Sequence, residues 1–248
     1  MYRITLTRIL ALKLLAVALW LAGLAWPWAL ALFLIGDLWI FWNLFIPGAS
    51  GLVPVVTHFA TDQPEVWLTI DDGPDPQDTP RLLDLLDQHG ARATFFFIGA
   101  KAETHPGLVA EVIRRGHEIG HHTQTHPSGT FWHASRRRVR RELDLGLAAF
   151  GPYRPQRFRA PVGIKNLFLA RALAQRELRC IAWQVRSRDS FARNSDQVLN
   201  RVMSRVHPGA IVLLHEGPKL HPRVRVIAIT RILETLPARG WRCVIPTD

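Results

Sequence analysis

Apolar positions along this chain fall into two regimes. From Ile9 to Phe45 they are almost continuous, and the run Leu14–Gly36, LLAVALWLAGLAWPWALALFLIG, contains no charged residue. A charge-free stretch of that length is a candidate for crossing a membrane rather than for filling a soluble core. It is too long for one helix across a hydrocarbon layer of about 30 Å. The favoured expectation is therefore a hairpin, with spans near residues 8–25 and 28–46 joined at Trp26-Pro27-Trp28. The alternative is one proline-kinked span followed by an interfacial segment, DLWIFWNLFIPG. A cleaved signal peptide fits poorly, because the apolar stretch is too long and no small-residue cleavage site follows it closely. Trp20, Trp26, Trp28, Trp39 and Trp42 suit anchoring at the membrane–water interfaces. Arg3, Arg8 and Lys13 are expected on the cytoplasmic side. A hairpin then returns the chain to the cytoplasm, whereas a single span places the following domain outside; the sequence leaves both open.

Beyond residue 47 the pattern changes. GASGLVPVV, Gly48 to Val56, reads as the start of a linker over residues 48–64. After it, short apolar runs alternate with segments of helical period. The runs predict strands over Val66–Ile70, Ala93–Ile98, Ile181–Val185, Ala210–Leu214 and Arg242–Ile245. The helical patterns predict helices over Thr79–Gln88, Gly107–Arg115, Ala134–Phe150, Asn166–Glu177, Ser195–Val206 and Arg223–Leu236. Strands alternating with helices imply an α/β domain with a largely parallel sheet or barrel. The expected division is a membrane anchor over 1–47, the linker, and one domain over 65–248.

Charge adds a constraint on partners. The formal net charge is +11 over 248 residues; the first 50 contribute +2 through Arg3, Arg8, Lys13 and Asp37, leaving +9 for the rest. A basic surface favours anionic partners, and an attached membrane segment favours an acidic polymer or an anionic bilayer over nucleic acid. No nucleic-acid-binding motif is present, so nucleic acid is not an expected partner. The run RRRVRRE, Arg136 to Glu142, reads as the solvated face of a helix, or as a contact for anionic lipid or polymer. Cys180 and Cys243 are the only cysteines, too few for a disulfide framework or a cysteine-based metal cluster.

Four stretches can carry chemistry. In WLTIDDGPDP, the first strand ends in Asp71 and Asp72, and ligands of parallel α/β folds sit beyond the carboxyl ends of strands. Two adjacent carboxylates raise one another's pKa unless a cation or base sits nearby; the plain reading is an Asp-Gly-Pro turn. In GHEIGHHTQTHP, His122 and His126 are four apart, and imidazole with carboxylate is a donor set for Zn²⁺ and similar ions. Alone, that spacing is a weak signal. In RFRAPVG, a buried Arg159 can orient a carboxylate through a bidentate contact or form an ordinary ion pair. In AIVLLHEGP, His215 follows a strand, where it can be a general acid or a half-buried structural residue. Asp189, after Ile181–Val185, can hold an imidazole in one orientation.

Taken in order, TIDDGP, GHEIGHHTQTH, FRAPVG, Asp189 and LLHE resemble the motifs of the polysaccharide deacetylase family, the NodB-homology domain of the family 4 carbohydrate esterases. The resemblance covers Glu65 to Ile245. It implies a distorted (β/α) barrel of fewer than eight strands, preceded here by the transmembrane helical segment. It further implies a metal-dependent hydrolase of linear amide C–N bonds that removes an N-acyl group, N-acetyl above all, from an amino sugar. On the resemblance, Asp71 is the general base and His215 the general acid. Asp72, His122 and His126 are the metal ligands. Arg159 orients the base and Asp189 tunes His215, while His117 and His121 are structural. The expected cofactor is one divalent ion, Zn²⁺ by ligand type, with Co²⁺, Ni²⁺ or Mn²⁺ suiting the same triad.

Three departures matter. The fourth motif of the family, Asp, two residues, then Asp-Trp, is RSRDS here, with Arg186 for the first aspartate and Ser190 for the tryptophan. Val162 stands where an aromatic is common, and Glu216 where aspartate is. The wall that holds acyl group and sugar is thus altered, which admits a lipid-linked saccharide as well as a polysaccharide as substrate. A non-catalytic carbohydrate-binding protein on the same fold is the alternative.

Overall fold

The computed structural model describes residues 2–247. The side chain of Arg3, which entered the orientation argument, lies outside the described residues, as do Met1 and Asp248, the outer limits of the expected domains.

The apolar amino-terminal run folds into two helices, α1 (Tyr2–Leu21) and α2 (Trp26–Phe45), the second opening with Pro27 in its first turn, where a missing N–H costs nothing. They pack antiparallel. A Cβ on Gly36 would stand 2.7 Å from Ile9, so only glycine admits this approach. Lys13 pairs with Asp37 at 2.6 Å, bringing opposite charges together within the hairpin. Among the described residues one helix, α2, is long and apolar enough to cross a membrane.

The rest of the chain alternates strand and helix. The order is β1 (Val55–Val56), β2 (Glu65–Asp71), α3 (Asp78–Gln88), β3 (Ala93–Phe97), α4 (Gly99–Thr104), α5 (Pro106–Arg114), β4 (Glu118–His121), α6 (Arg136–Ala148), β5 (Arg157–Phe158), α7 (Leu169–Ala174), β6 (Arg179–Ile181), β7 (Val185–Arg186), α8 (Ser195–Met203), β8 (Ala210–His215), α9 (Arg225–Ala238) and β9 (Arg242–Cys243). The sheet runs β1-β6-β5-β4-β3-β2-β8-β7, with β9 against the start of β2, and every strand pair is parallel. The path curls until its ends nearly meet. β6 and β7 lie near opposite ends of it, yet only residues 182–184 separate them in sequence. Ala182 N–H donates to Val56 on one edge and Gln184 N–H to Ile211 on the other. The result is the expected distorted barrel. The helix pattern over Asn166–Glu177 shrinks to α7, because Asn166 donates its side-chain amide to the carbonyls of Phe131, Trp132 and Ala134 instead of entering a helix.

Residue alternation sorts the strands into an outer and an inner face. Val66, Leu68, Ile70, Phe95, Phe97, Val212 and Leu214 point outward and form the main core under the helices. The interior holds Trp67, Phe96, Ile181 and Ile211 together with two buried arginines. Arg157 stacks on Trp67 and pairs with Glu118 near the amino ends of the strands. Arg159 stacks on Phe96 one layer higher, its guanidinium carbon 4.1 Å from the ring centre. Gly120 faces inward where a Cβ would stand 2.4 Å from the Phe96 ring.

Candidate active site

β2, the longest strand, delivers the two carboxylates at its carboxyl end. Alternation turns Asp71 into the barrel mouth. Asp72 follows with a left-handed backbone, φ 72°, a strained conformation for a residue with a Cβ and one that accumulates at functional sites. It aims the second carboxylate into the same space, while Lys101 Nζ donates to its carbonyl at 2.5 Å. β4 ends at His121, so His122 starts the next loop. That loop is pinned by Glu142, whose carboxylate accepts from the N–H groups of Gln124 and Thr125 and from Thr125 Oγ1. His126 N–H donates to Thr123 Oγ1, and both residues are left-handed, at φ 52° and 65°. The two histidines therefore converge from a strand end and a bent loop, not from a helical turn.

Asp72, His122 and His126 offer ligand atoms that all lie within 4.8 Å of one another. Asp72 Oδ1 stands 3.8 Å from His122 Nε2 and 3.3 Å from His126 Nε2, buried and without a hydrogen-bond partner. Such an orphaned oxygen calls for an occupant. His122 Nδ1 lies 2.8 Å from the Arg159 carbonyl, which places the proton on Nδ1 and leaves Nε2 with its lone pair. Burial and the neighbouring His122 push the His126 imidazole down to about 4, so it is neutral at physiological pH. Burial works to raise the Asp72 carboxyl, but His122, His126, His215 and Lys219 together hold it below its ordinary value. One carboxylate and two imidazoles fit a divalent cation of the first transition row.

Arg159 lies directly after β5 and is wholly buried. Its guanidinium donates to Asp71 Oδ1 at 2.6 Å, to Thr69 Oγ1 at 2.8 Å and to the carbonyls of Ile181 and Ala182. Asp71 is thereby fixed with its other oxygen, Oδ2, 3.8 Å from His122 Nε2. Across the mouth, His215 ends β8. Its Nδ1 is 2.7 Å from Asp189 Oδ1, and its backbone N–H donates to Asp189 Oδ2 at 2.7 Å. Burial opposes charging this ring, yet the Asp189 carboxylate and its hydrogen bond, with Asp71 and Asp72 beyond, push it up to about 9. The imidazole is thus protonated at neutral pH.

Of the seven residues singled out from the sequence, Asp71, Asp72, His122, His126 and His215 line one cleft of about 270 Å³, and Arg159 and Asp189 lie buried behind it, bonded to Asp71 and His215. His121 and His117 do not join it. His121 points the other way, bonded to the Leu143 carbonyl and the Thr123 N–H, with its pKa pushed down to about 4 by burial. His117 packs against Phe95, also near 4 through burial. Other residues of the site carried no clear sequence signal. Glu142, which shapes the histidine loop, lies within the arginine run. Trp183, in the β6–β7 connection, supplies an aromatic to the wall where Ser190 stands in place of tryptophan. Glu216 lies under the Asp-Asp-Gly-Pro turn, takes a hydrogen bond from Thr79, and is pushed up to about 8 by burial. Gly73 is obligatory above it, since a Cβ there would stand 1.8 Å from Glu216 Oε1.

A curled parallel sheet with carboxylates, histidines and a buried arginine at its carboxyl-terminal mouth defines a hydrolase-type centre able to hold a cation. The profile of the family described as polysaccharide deacetylase matches residues 59–181. The chain is 37% identical over 199 residues to a chitooligosaccharide deacetylase of Sinorhizobium fredii, covering 75% of this chain and 92% of that protein. It is 34% identical over 187 residues to a peptidoglycan-N-acetylglucosamine deacetylase of Bacillus cereus, covering 74% and 86%. A family 4 carbohydrate esterase from Streptomyces lividans, solved in complex with acetate, superposes with a TM-score of 0.66 at 30% identity, covering 76% of this chain and 95% of that one. The chain belongs to the polysaccharide deacetylase family.

Proposed function

We propose that this protein is a membrane-anchored, metal-dependent hydrolase that removes an N-acyl group, N-acetyl first, from an amino sugar of a polysaccharide or lipid-linked saccharide. The observation that carries the reading is the convergence of three ligand atoms with a carboxylate held by a buried arginine and an imidazole held by a second carboxylate. The activities of the relatives support it. Asp72, His122 and His126 would hold the cation, Zn²⁺ by ligand type with Co²⁺, Ni²⁺ or Mn²⁺ as alternatives; when bound, it supplies Lewis acidity towards the amide and the attacking water. Asp71, oriented by Arg159, takes a proton from that water as its oxygen bonds to the acyl carbon. His215, kept protonated by Asp189, gives its proton to the nitrogen as the C–N bond breaks. The products are the carboxylic acid and the free amino sugar. Trp183 and Val162 wall the cleft against which the acyl group and the sugar pack.

The anchor reading rests on exposure. Trp20, Trp26, Trp28, Leu38 and Trp42 are each more than half exposed on the hairpin, a surface that lipid would cover. A helix of 20 residues, as α2 is, extends about 30 Å, the thickness of a hydrocarbon layer. We take residues 1–47 as the anchor, 48–64 as the connection, which is not a free linker since it buries Leu52 and Val53 and gives the barrel its edge strand β1, and 65–248 as the catalytic domain, with the cell membrane as its location.

The test is the metal content of detergent-extracted protein beside a His122→Ala variant, followed by hydrolysis of N-acetylated chitooligosaccharide. About one transition-metal ion per chain, absent from the variant together with acetate release, is expected. A parent that takes up neither Zn²⁺ nor Co²⁺ overturns the reading in favour of a non-catalytic binding protein.

A further inference from the structure

The fourth motif and the docking of α2 share one explanation. Arg186 and Arg188 flank the buried Ser187 on the cleft wall, and Lys219 faces them from the loop after β8; all three line the cleft and are exposed. Among the described residues none of the three has an ion-pair partner. Arg188 is held with a left-handed backbone, φ 56°. The acidic groups of the cleft, Asp71, Asp72 and Glu216, lie deeper. The mouth thus carries three exposed cations, with the exposed aromatic Phe191 beside them.

The end of α2 abuts this mouth. Leu44 is buried in the same cluster as Phe131, Phe158, Ala160 and Leu169. Lys165, itself buried, donates its backbone N–H to Leu44 and its ammonium to the carbonyls of Ile46 (2.6 Å) and Pro47 (3.1 Å). A Cβ on Gly163 would stand 2.7 Å from both Pro47 and Trp183, so a single glycine separates the end of the helix from a cleft-wall residue. Phe45 meets Trp132, three residues before Ser135 caps α6. The first turn of α6 is Arg136, Arg137 and Arg138, all exposed. Cations at a helix amino terminus oppose its dipole, so this placement is unfavourable unless an external anion meets it. If α2 runs into a bilayer, its phosphate head groups supply such an anion.

We propose that the cleft opens at the bilayer surface and that its substrate is an amino sugar carried on a lipid phosphate or diphosphate, with Arg186, Arg188 and Lys219 holding the phosphate while the sugar reaches Asp71 and His215. Arginine suits this task because its planar donors match phosphate oxygens. The inference rests on the hydrolase reading, and the experiment separates the two. Full-length protein in phosphatidylcholine nanodiscs is given N-acetylglucosaminyl diphosphate polyprenol, soluble N-acetylglucosamine 1-phosphate, or chitotetraose. Retention of the radiolabelled glycolipid is measured separately on an Asp71→Asn protein. The glycolipid is expected to show the highest kcat/KM. Arg186→Gln and Arg188→Gln should each lower the ratio of glycolipid to chitotetraose kcat/KM roughly tenfold, through KM, and weaken retention to match. Lys219→Gln, on the exposed loop, gives the same reading if either arginine variant fails to fold. Equal rates with the soluble phosphate overturn the lipid assignment. Preference for chitotetraose with no effect of the arginines overturns the phosphate assignment and leaves the hydrolase intact. Arginine-dependent retention without hydrolysis of any compound supports the ligand and overturns the hydrolase. Neither retention nor hydrolysis overturns both.

Discussion

The His215–Asp189 pair makes a prediction whose sign and size follow from the structure. Replacing Asp189 by Asn removes the carboxylate 2.7 Å from Nδ1 but leaves an isosteric hydrogen-bond partner. In the parent the ring is pushed up to about 9, against burial that works in the opposite direction. Loss of one neighbouring opposite charge lowers such a pKa by about 1–3 units. Since the general acid must carry its proton, activity holds below the folded pKa and falls as pH rises through it. The basic limb of the rate profile is expected near 9 in the parent, and between roughly 6 and 8 in the variant. For a two-unit drop, the protonated fraction at pH 8 falls about tenfold, from nearly all to about one in ten. Stability follows the same sign. A histidine raised from 6.5 to about 9 stabilises the fold, by roughly 3 kcal/mol at full effect. That contribution is complete below pH 6.5 and is lost as pH rises through 9. The assay is initial acetate release from a chitooligosaccharide between about pH 5.5 and 10.5, with melting temperature followed over the same range. A basic limb that stays near 9 in Asp189→Asn would falsify the assignment of that limb to His215.

Three further outcomes are expected. His126→Ala should lose the bound metal as His122→Ala does, whereas His121→Gln should keep it, checked by metal analysis at fixed protein concentration; metal lost from both kinds of variant alike counts against the ligand set. Asp71→Asn should lower kcat by about 10²–10⁴-fold while retaining metal, as removal of a proton acceptor does; a variant near parental kcat rejects its role as base. Gly120→Ala forces a Cβ into the Phe96 ring, and overpacking of this kind costs about 1–3 kcal/mol, read as a lowered melting temperature; an unchanged melting temperature means that Phe96 moves aside at no cost.

What the sequence made legible follows from what each segment had to bury. β2, β3 and β8 are buried on both faces, so they appear as dense apolar runs and their limits shift by one residue at most. α3, α6, α8 and α9 each cover the sheet with one face and keep a clean helical period. β4 and β5 did not stand out, because their inward positions are taken by Glu118, Gly120 and Arg157, with Arg159 directly after β5, and these serve the barrel interior instead of an apolar core. The strand expected over Ile181–Val185 is not formed: the run holds only the last residue of β6 and the first of β7, and residues 182–184 between them cross the seam; hydrophobicity alone does not reveal that a chain changes neighbours halfway. The seven site residues were legible because motif order survives in sequence. The supporting residues were not. Glu142 is the one acid in a run of arginines, and Trp183 becomes a wall residue only because the seam carries it to the mouth.

The clamp of Lys165 on the two carbonyls that follow α2 has a mechanical consequence. A buried ammonium holding Ile46 and Pro47, beside a glycine through which Pro47 touches the cleft wall, leaves no slack between helix and barrel. If α2 lies across a bilayer, the reaction centre then rides at a fixed height above it, and the protein measures distance as a ruler does. A long flexible tether lets an enzyme sample sugars anywhere along a polymer; this rigid mount selects for the sugar whose own anchor sets it at the matching height.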